Sequence, residues 1–204
     1  MTDEKYISMT KFENELFGRG YTIIGGVDEA GRGPLAGPVV AACVVFGKDM
    51  PLPRADDSKK LSEKARDKLY GDITGSALAW GVGIVSNEMI DEINILEATH
   101  LAMKTAVESC KISPEIVMVD HLRIKNTDIP QLPITHGDAL SVMIGAASIV
   151  AKVTRDRMMY EYAKQYPEYG FEKHKGYGTK AHYDAIREYG MLPIHRRSFL
   201  KKLH

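Results

Sequence analysis

Residues 24–38 read Ile24-Gly25-Gly26-Val27-Asp28-Glu29-Ala30-Gly31-Arg32-Gly33-Pro34-Leu35-Ala36-Gly37-Pro38. An apolar run ends in two adjacent carboxylates, and an arginine flanked by glycines follows. Carboxylates at a strand end can hold a hard divalent cation, which prefers oxygen ligands. Glycines on both sides of Arg32 let backbone approach a ligand, and a guanidinium suits a phosphate. Cation and phosphodiester together point to phosphoryl transfer.

Outward from this stretch, Tyr21–Asp28 predicts a buried strand and Pro38–Phe46 a second, with so short a turn between them that an antiparallel hairpin is expected. Residues 5–18 predict an amphipathic helix stopped by Gly18. After the polar stretch Pro51–Lys60, Ser62 is the expected N-cap of a helix. Ser76–Ser86 reads as a third strand, Asn94 as the cap of a helix running to Cys110, and Glu115–Asp120 as a strand that again ends in aspartate. Asp138 is expected to start the longest helix, about Ala139–Gln165, closed by Pro167 and Gly170. A Lys-, Gly- and Tyr-rich loop (173–178) precedes a last helix capped by Thr179. Strands first, with helices between and after them, predict an α/β fold. One domain is expected over residues 1–204, with an N-terminal helix in 1–20 and a helical, basic segment in 167–204.

The composition agrees. The chain has 204 residues, 44% of them hydrophobic, enough for a core of its own. No apolar run reaches the ~18–20 residues of a membrane span, and Met1–Lys5 does not begin a signal peptide. The two cysteines, Cys43 and Cys110, sit in apolar segments, which suits reduced thiols in the cytoplasm. Net charge is zero but unevenly spread: residues 1–151 hold 15 Lys and Arg against 21 Asp and Glu, and residues 152–204 hold 12 against 6. Such asymmetry hints at a nucleic-acid surface and also arises in ordinary domains.

If the strands ending at Asp28 and Asp120 pair in parallel, their carboxylates meet at one sheet edge, where open α/β sheets bind ligands. Glu29 and Asp138 would complete an acidic cluster; Asp138 could equally be only a helix cap. Clustered acids repel unless cations neutralise them, and two ions ~3.5–4 Å apart would suit phosphodiester hydrolysis. On the long helix, Met143, Ala147, Val150, Thr154 and Met158 form a core stripe. Ser141, Gly145, Ser148, Lys152 and Arg155 form another, either ligand-facing or simply solvated. A nucleotide cradle does not explain Gly31-Arg32-Gly33, because the glycine spacing is wrong and no Gly-Lys-Ser/Thr follows.

Four strings carry a resemblance from Gly25 to about Leu200: Gly26–Pro34, Asp57-Ser-Lys-Lys-Leu61, Ala146–Asp156 and Lys175-Gly-Tyr-Gly-Thr179. In them the chain resembles the bacterial ribonuclease HII family. The resemblance implies a ribonuclease H-like fold with a mixed central sheet and helical C-terminal part. It implies an endonuclease that cuts the RNA strand of RNA/DNA hybrids and cuts 5′ of single ribonucleotides in duplex DNA, leaving 3′-hydroxyl and 5′-phosphate ends. It implies two Mg2+ or Mn2+ ions on Asp28, Glu29, Asp120 and Asp138, a backbone grip by Gly31, Arg32 and Gly33, and Tyr177 packed on the sugar at the RNA–DNA junction. Lys59, Ser148, Lys152 and Arg155 are expected at phosphates, and Asp156 is expected to be structural, paired with an arginine. Arg197–Leu203 has the composition of a tail that docks on a sliding clamp. A monomer is expected. Two positions depart from the family pattern: His121 where glycine is usual, and His136 where a lysine is usual. His121 leaves open a second function, a hybrid-binding module with weak or lost catalysis.

Overall fold

The computed structural model describes residues 1–55 and 61–201. Its centre is a five-stranded sheet in the order β3-β2-β1-β4-β5. β1 (Ile23–Ala30) and β2 (Val39–Gly47) form the expected antiparallel hairpin, with Asp28 opposite Ala42. β3 (Ala79–Val85) pairs antiparallel with β2. β4 (Ile116–Asp120) lies parallel to β1, with Val119 opposite Val27. The sheet is therefore mixed, and Asp28 and Asp120 emerge at the same end of neighbouring strands.

β2 is buried on both faces, which explains its unbroken apolar run. Ala42, Val44 and Phe46 join one core cluster, and Val39, Ala41, Cys43 and Val45 join the cluster on the other face. The first face carries α6 (Val142–Gln165) and the second α4 (Asn87–Glu108). Gly26 permits the close approach of α6: a Cβ there would stand 2.4 Å from the Met143 carbonyl carbon.

Four expectations need correction. The N-terminal helix is two helices, α1 (Asp3–Met9) and α2 (Lys11–Gly18), broken at Thr10, whose hydroxyl donates to the Ile7 carbonyl. α4 starts at Ser86, whose hydroxyl accepts from the Met89 N–H. Asn94 still caps its second part from within: at φ 68°, its Oδ1 accepts from the N–H groups of Leu96 and Glu97. Asp138 does not start the long helix. It lies in a separate turn, α5 (Gly137–Leu140), and Ser141 caps α6 through the Ile144 N–H. β5 (Gln131–Ile134), parallel to β4, was not expected. α3 (Glu63–Ser76) opens at Ser62 as expected.

After α6 come the short α7 (Phe171–His174) and α8 (Lys180–Tyr189), the latter capped by Thr179 and ended by Gly190. Residues 192–200 then turn back under the loop that follows β1. Ala36 bridges to His195, Gly37 N–H donates to the Ile194 carbonyl, and Arg196 N–H donates to that of Leu35. Leu35, Phe171, Ile186 and Leu200 form a third core cluster there. Cys43 and Cys110 are free thiols.

Candidate active site

A cavity of about 230 Å³ opens where β1 and β4 end. Asp28, Glu29 and Asp120 form one wall, and Gly31, Arg32, Gly33, Ser148, Lys152 and Tyr177 complete it. Asp28 is only 5% exposed. Burial, then the charges of Glu29 and Asp120, hold its carboxyl well above the usual range against an opposing hydrogen bond from Ser148. Glu29 is raised too, by burial and by Asp120, with Arg32 opposing. Its ion pair with Arg32 is long, 3.4 Å, and Arg32 stays partly exposed.

Asp120 Oδ1 accepts the Gly137 N–H at 2.7 Å. That bond ties β4 to α5, so Asp138, the next residue, is buried beside the acidic wall but does not line the cavity. Among the described residues, no three His, Cys, Asp or Glu side chains form a preformed metal cage. The donor chemistry nevertheless fits a divalent ion. All donors are carboxylate oxygens, and the raised Asp28 and Glu29 register a repulsion that a cation would relieve.

The opposite wall is held from beneath by two buried arginines. Arg155, expected at a phosphate, is instead 1% exposed. Its guanidinium donates to the carbonyls of Pro38, Ala36 and Lys175 at 3.0–3.1 Å. At the fourth turn of α6, Arg155 faces the loop after β1 and Lys175 and not solvent, so it is removed from the phosphate-contacting set. Gly31 (φ +97°) makes room for it, since a Cβ would fall 2.1 Å from Arg155 Nε. Arg196, fully buried, donates to the carbonyls of Gly31, Arg32, Gly37 and Pro38 at 2.6–3.0 Å. Burial lowers Arg155 to about 10 and Arg196 to about 9, so both remain charged at neutral pH. Because a trans peptide points its C=O and N–H in opposite directions, turning the Gly31 and Arg32 carbonyls onto Arg196 turns the Arg32 and Gly33 N–H groups away from it. Arg196 carried no local sequence signal.

Tyr177 stands next to this loop: a Cβ on Gly33 would lie 3.5 Å from its ring. The ring is 45% exposed, while its backbone is tied down. His195 Nδ1 accepts the Leu192 N–H, so its Nε2 carries the proton and donates to His182 Nε2 at 3.0 Å. His182 Nδ1 then donates to the Tyr177 carbonyl at 2.9 Å. These tautomers follow from the partners, and burial lowers both histidines to about 4.

Lys152 faces the cavity with its ammonium 2.6 Å from Asp156. Asp156 thus pairs with a lysine and not with the expected arginine. Lys59, and residues 57–60 of the second motif, lie outside the described residues. His121 adopts φ 57° and is exposed. It takes up the left-handed conformation natural to glycine without lining the cavity. His136, φ 60°, is exposed just before α5.

The ribonuclease HII family profile matches residues 25–202. Ribonuclease HII of Clostridioides difficile (strain 630) is 57% identical over 201 residues, covering 98% of this chain and 79% of its own. Ribonuclease H2 of Pyrococcus horikoshii OT3 superposes with TM-score 0.69 at 30% identity, covering 86% of this chain and 93% of its own. Ribonuclease HII of Archaeoglobus fulgidus, solved in complex with PCNA, gives 0.70 at 26%, covering 85% and 93%. The chain therefore has the ribonuclease H-like α/β fold and belongs to the ribonuclease HII family, endoribonucleases that hydrolyse RNA in RNA/DNA hybrids.

Proposed function

We propose that the chain cuts the RNA strand of hybrids, and cuts 5′ of single ribonucleotides in duplex DNA, by two-metal-ion catalysis that leaves 3′-hydroxyl and 5′-phosphate ends. The supporting observation is the cavity itself: an acidic wall of Asp28, Glu29 and Asp120 faces a backbone loop and an exposed tyrosine across a space open to a ligand. Asp138 completes the ligand set. Two Mg2+ or Mn2+ ions held there would activate water and neutralise the leaving oxygen.

The chain's own groups do the rest. Asp28 and Glu29 must lose protons that burial holds tightly, so cation binding strengthens as pH rises through their raised values. Only the 2′-hydroxyl marks one ribonucleotide among deoxynucleotides. The N–H edge at Arg32 and Gly33 offers it donors, and the Tyr177 ring packs on the neighbouring sugar. Arg32, Ser148 and Lys152 meet phosphates and set register without reading sequence; Lys59 joins them. The chain acts as a cytoplasmic, monomeric, single-domain enzyme. The PCNA complex of the Archaeoglobus relative supports a clamp-docking role for Arg197–Leu203.

The test is cleavage of end-labelled duplex DNA carrying one ribonucleotide, with Mg2+, Mn2+ or chelator. We expect one nick 5′ of the ribonucleotide, lost with chelator and in Asp120→Asn. Near-normal cutting by Asp120→Asn would refute the site, and binding without cutting under either ion would restore the binding-module alternative.

A further inference from the structure

The N-terminal helix α2 lies outside the residues that the family profile matches, yet it carries the least solvent-exposed acid among the described residues. Lys11, Asn14 and Glu15 are exposed, and Leu16 and Phe17 enter the core. Glu13 enters with them and is fully buried. An apolar side chain would cover that face at no desolvation cost, and a buried carboxylate persists only with partners. Its partners are specific. Oε1 accepts the Ser141 hydroxyl at 2.6 Å and the Met143 N–H at 3.2 Å. Its other oxygen has no hydrogen-bond partner among the described residues.

Those partners are the corner between α5 and α6. Ser141 Oγ gives its proton to Glu13 and takes the Ile144 N–H, while Ser141 N–H closes α5 on the Gly137 carbonyl. The Gly137 N–H holds Asp120. Asp138 therefore sits between two anchored points, Gly137 tied to Asp120 and Ser141 tied to Glu13. Gly26, two residues before Asp28, packs directly on Met143, so the same corner is also fixed against β1.

We propose that Glu13 is a positioning residue for the metal site: it locks the Ser141 corner and so sets the distance of Asp138 from Asp28 and Asp120. This rests on the proposal that Asp138 is a metal ligand. It makes α2 a working part of the active site although no residue of α2 lines the cavity.

The test is titration of Mn2+ alone into the full chain without nucleic acid, followed by calorimetry, with melting temperature recorded for each variant. Glu13→Leu keeps bulk and strips the acceptor, and we expect its Mn2+ dissociation constant to rise about tenfold, ~1.4 kcal/mol. Glu13→Gln, which keeps an acceptor oxygen for Ser141 and Met143, should recover most of the loss. A lower melting temperature with an unchanged dissociation constant in Glu13→Leu would overturn the proposal, because a purely structural acid would behave that way. If Glu13→Leu does not fold, Ser141→Ala breaks the same link, and an unchanged constant there overturns it equally. Asp138→Asn separates the two ideas. Weaker binding in Asp138→Asn but not in Glu13→Leu removes only the role of Glu13. No change in either removes Asp138 from the metal site as well.

Discussion

The two walls of the cavity handle buried charge in opposite ways. On the acidic wall, burial pushes Asp28 and Glu29 above their ordinary values, and the charge of Asp120 adds to both, as does that of Glu29 to Asp28. On the loop wall, Arg155 and Arg196 are at least as buried, but seven hydrogen bonds to backbone carbonyls satisfy them. The difference separates function from framework. A buried charge whose hydrogen bonds are complete holds structure; a group of like charges that lines an open cavity awaits a ligand.

The largest expected effect breaks the acidic wall. Asp28→Asn should lower cleavage by about 10³-fold, since several kcal/mol of charge stabilisation is lost. The same change should make the metal-free protein more stable near neutral pH. The folded state holds the Asp28 proton more tightly than the unfolded chain does. The stability tied to that proton is present at low pH and is lost as pH rises through the raised value. Mn2+ should raise the melting temperature of the parent and not of the variant. A variant that is inactive and also less stable would contradict the repulsion described for this wall.

Next comes the loop wall. Arg196→Ala takes the donor from the carbonyls of Gly31, Arg32 and Gly37, while Pro38 keeps Arg155, and at ~1–3 kcal/mol for each unsatisfied group even partial hydration leaves a loss of about 3 kcal/mol in denaturant unfolding. Arg196→Lys should rescue little, because an ammonium cannot reproduce the fork. Full rescue by lysine would show that charge alone matters there.

A smaller effect is expected at Tyr177. Tyr177→Ala should reduce cutting at a single embedded ribonucleotide about tenfold, within the ~1–3 kcal/mol of aromatic packing on a nucleotide. Stability should change little, since nearly half of Tyr177 is exposed and its tie to His182 runs through the backbone. Equal loss on long hybrids and on single ribonucleotides would argue against a junction role.

The gentlest probe is pH. His182 and His195 are neutral in the fold, near 4, against about 6.5 when unfolded. The unfolded chain therefore binds more protons between those values, so stability is full above about 6.5 and falls as pH drops toward 4. His182→Asn should flatten that slope in unfolding measured between pH 7 and 5; an identical slope would mean the histidine chain is not its source.

These contrasts also show what the sequence could reveal. Asp28 and Asp120 were legible because each ends an apolar run, and parallel pairing of two such strands leaves their carboxylates adjacent. The hairpin was legible from its short turn. β5 was not: it is four residues long, contains Pro133, and is a strand only through its pairing with β4. The break at Ser141 hid because Asp138 and Ser141 are both good N-caps one turn apart. Arg155 misled for a different reason. A small-and-basic helix face looks the same whether water or another part of the chain covers it, and the residues that cover Arg155, in the loop after β1 and at Lys175, lie far from it in sequence. Arg196, the histidine pair and Glu13 work through backbone carbonyls and single hydroxyls, which leave no pattern in neighbouring sequence.

The central claim is that Asp28, Glu29, Asp120 and Asp138 act together on divalent ions. Anomalous diffraction at the manganese edge, from crystals soaked in Mn2+, tests it most directly. The account predicts manganese peaks between the carboxylates of Asp28, Glu29 and Asp120 with Asp138 in reach; manganese bound elsewhere, with these four side chains left without an ion, would contradict it.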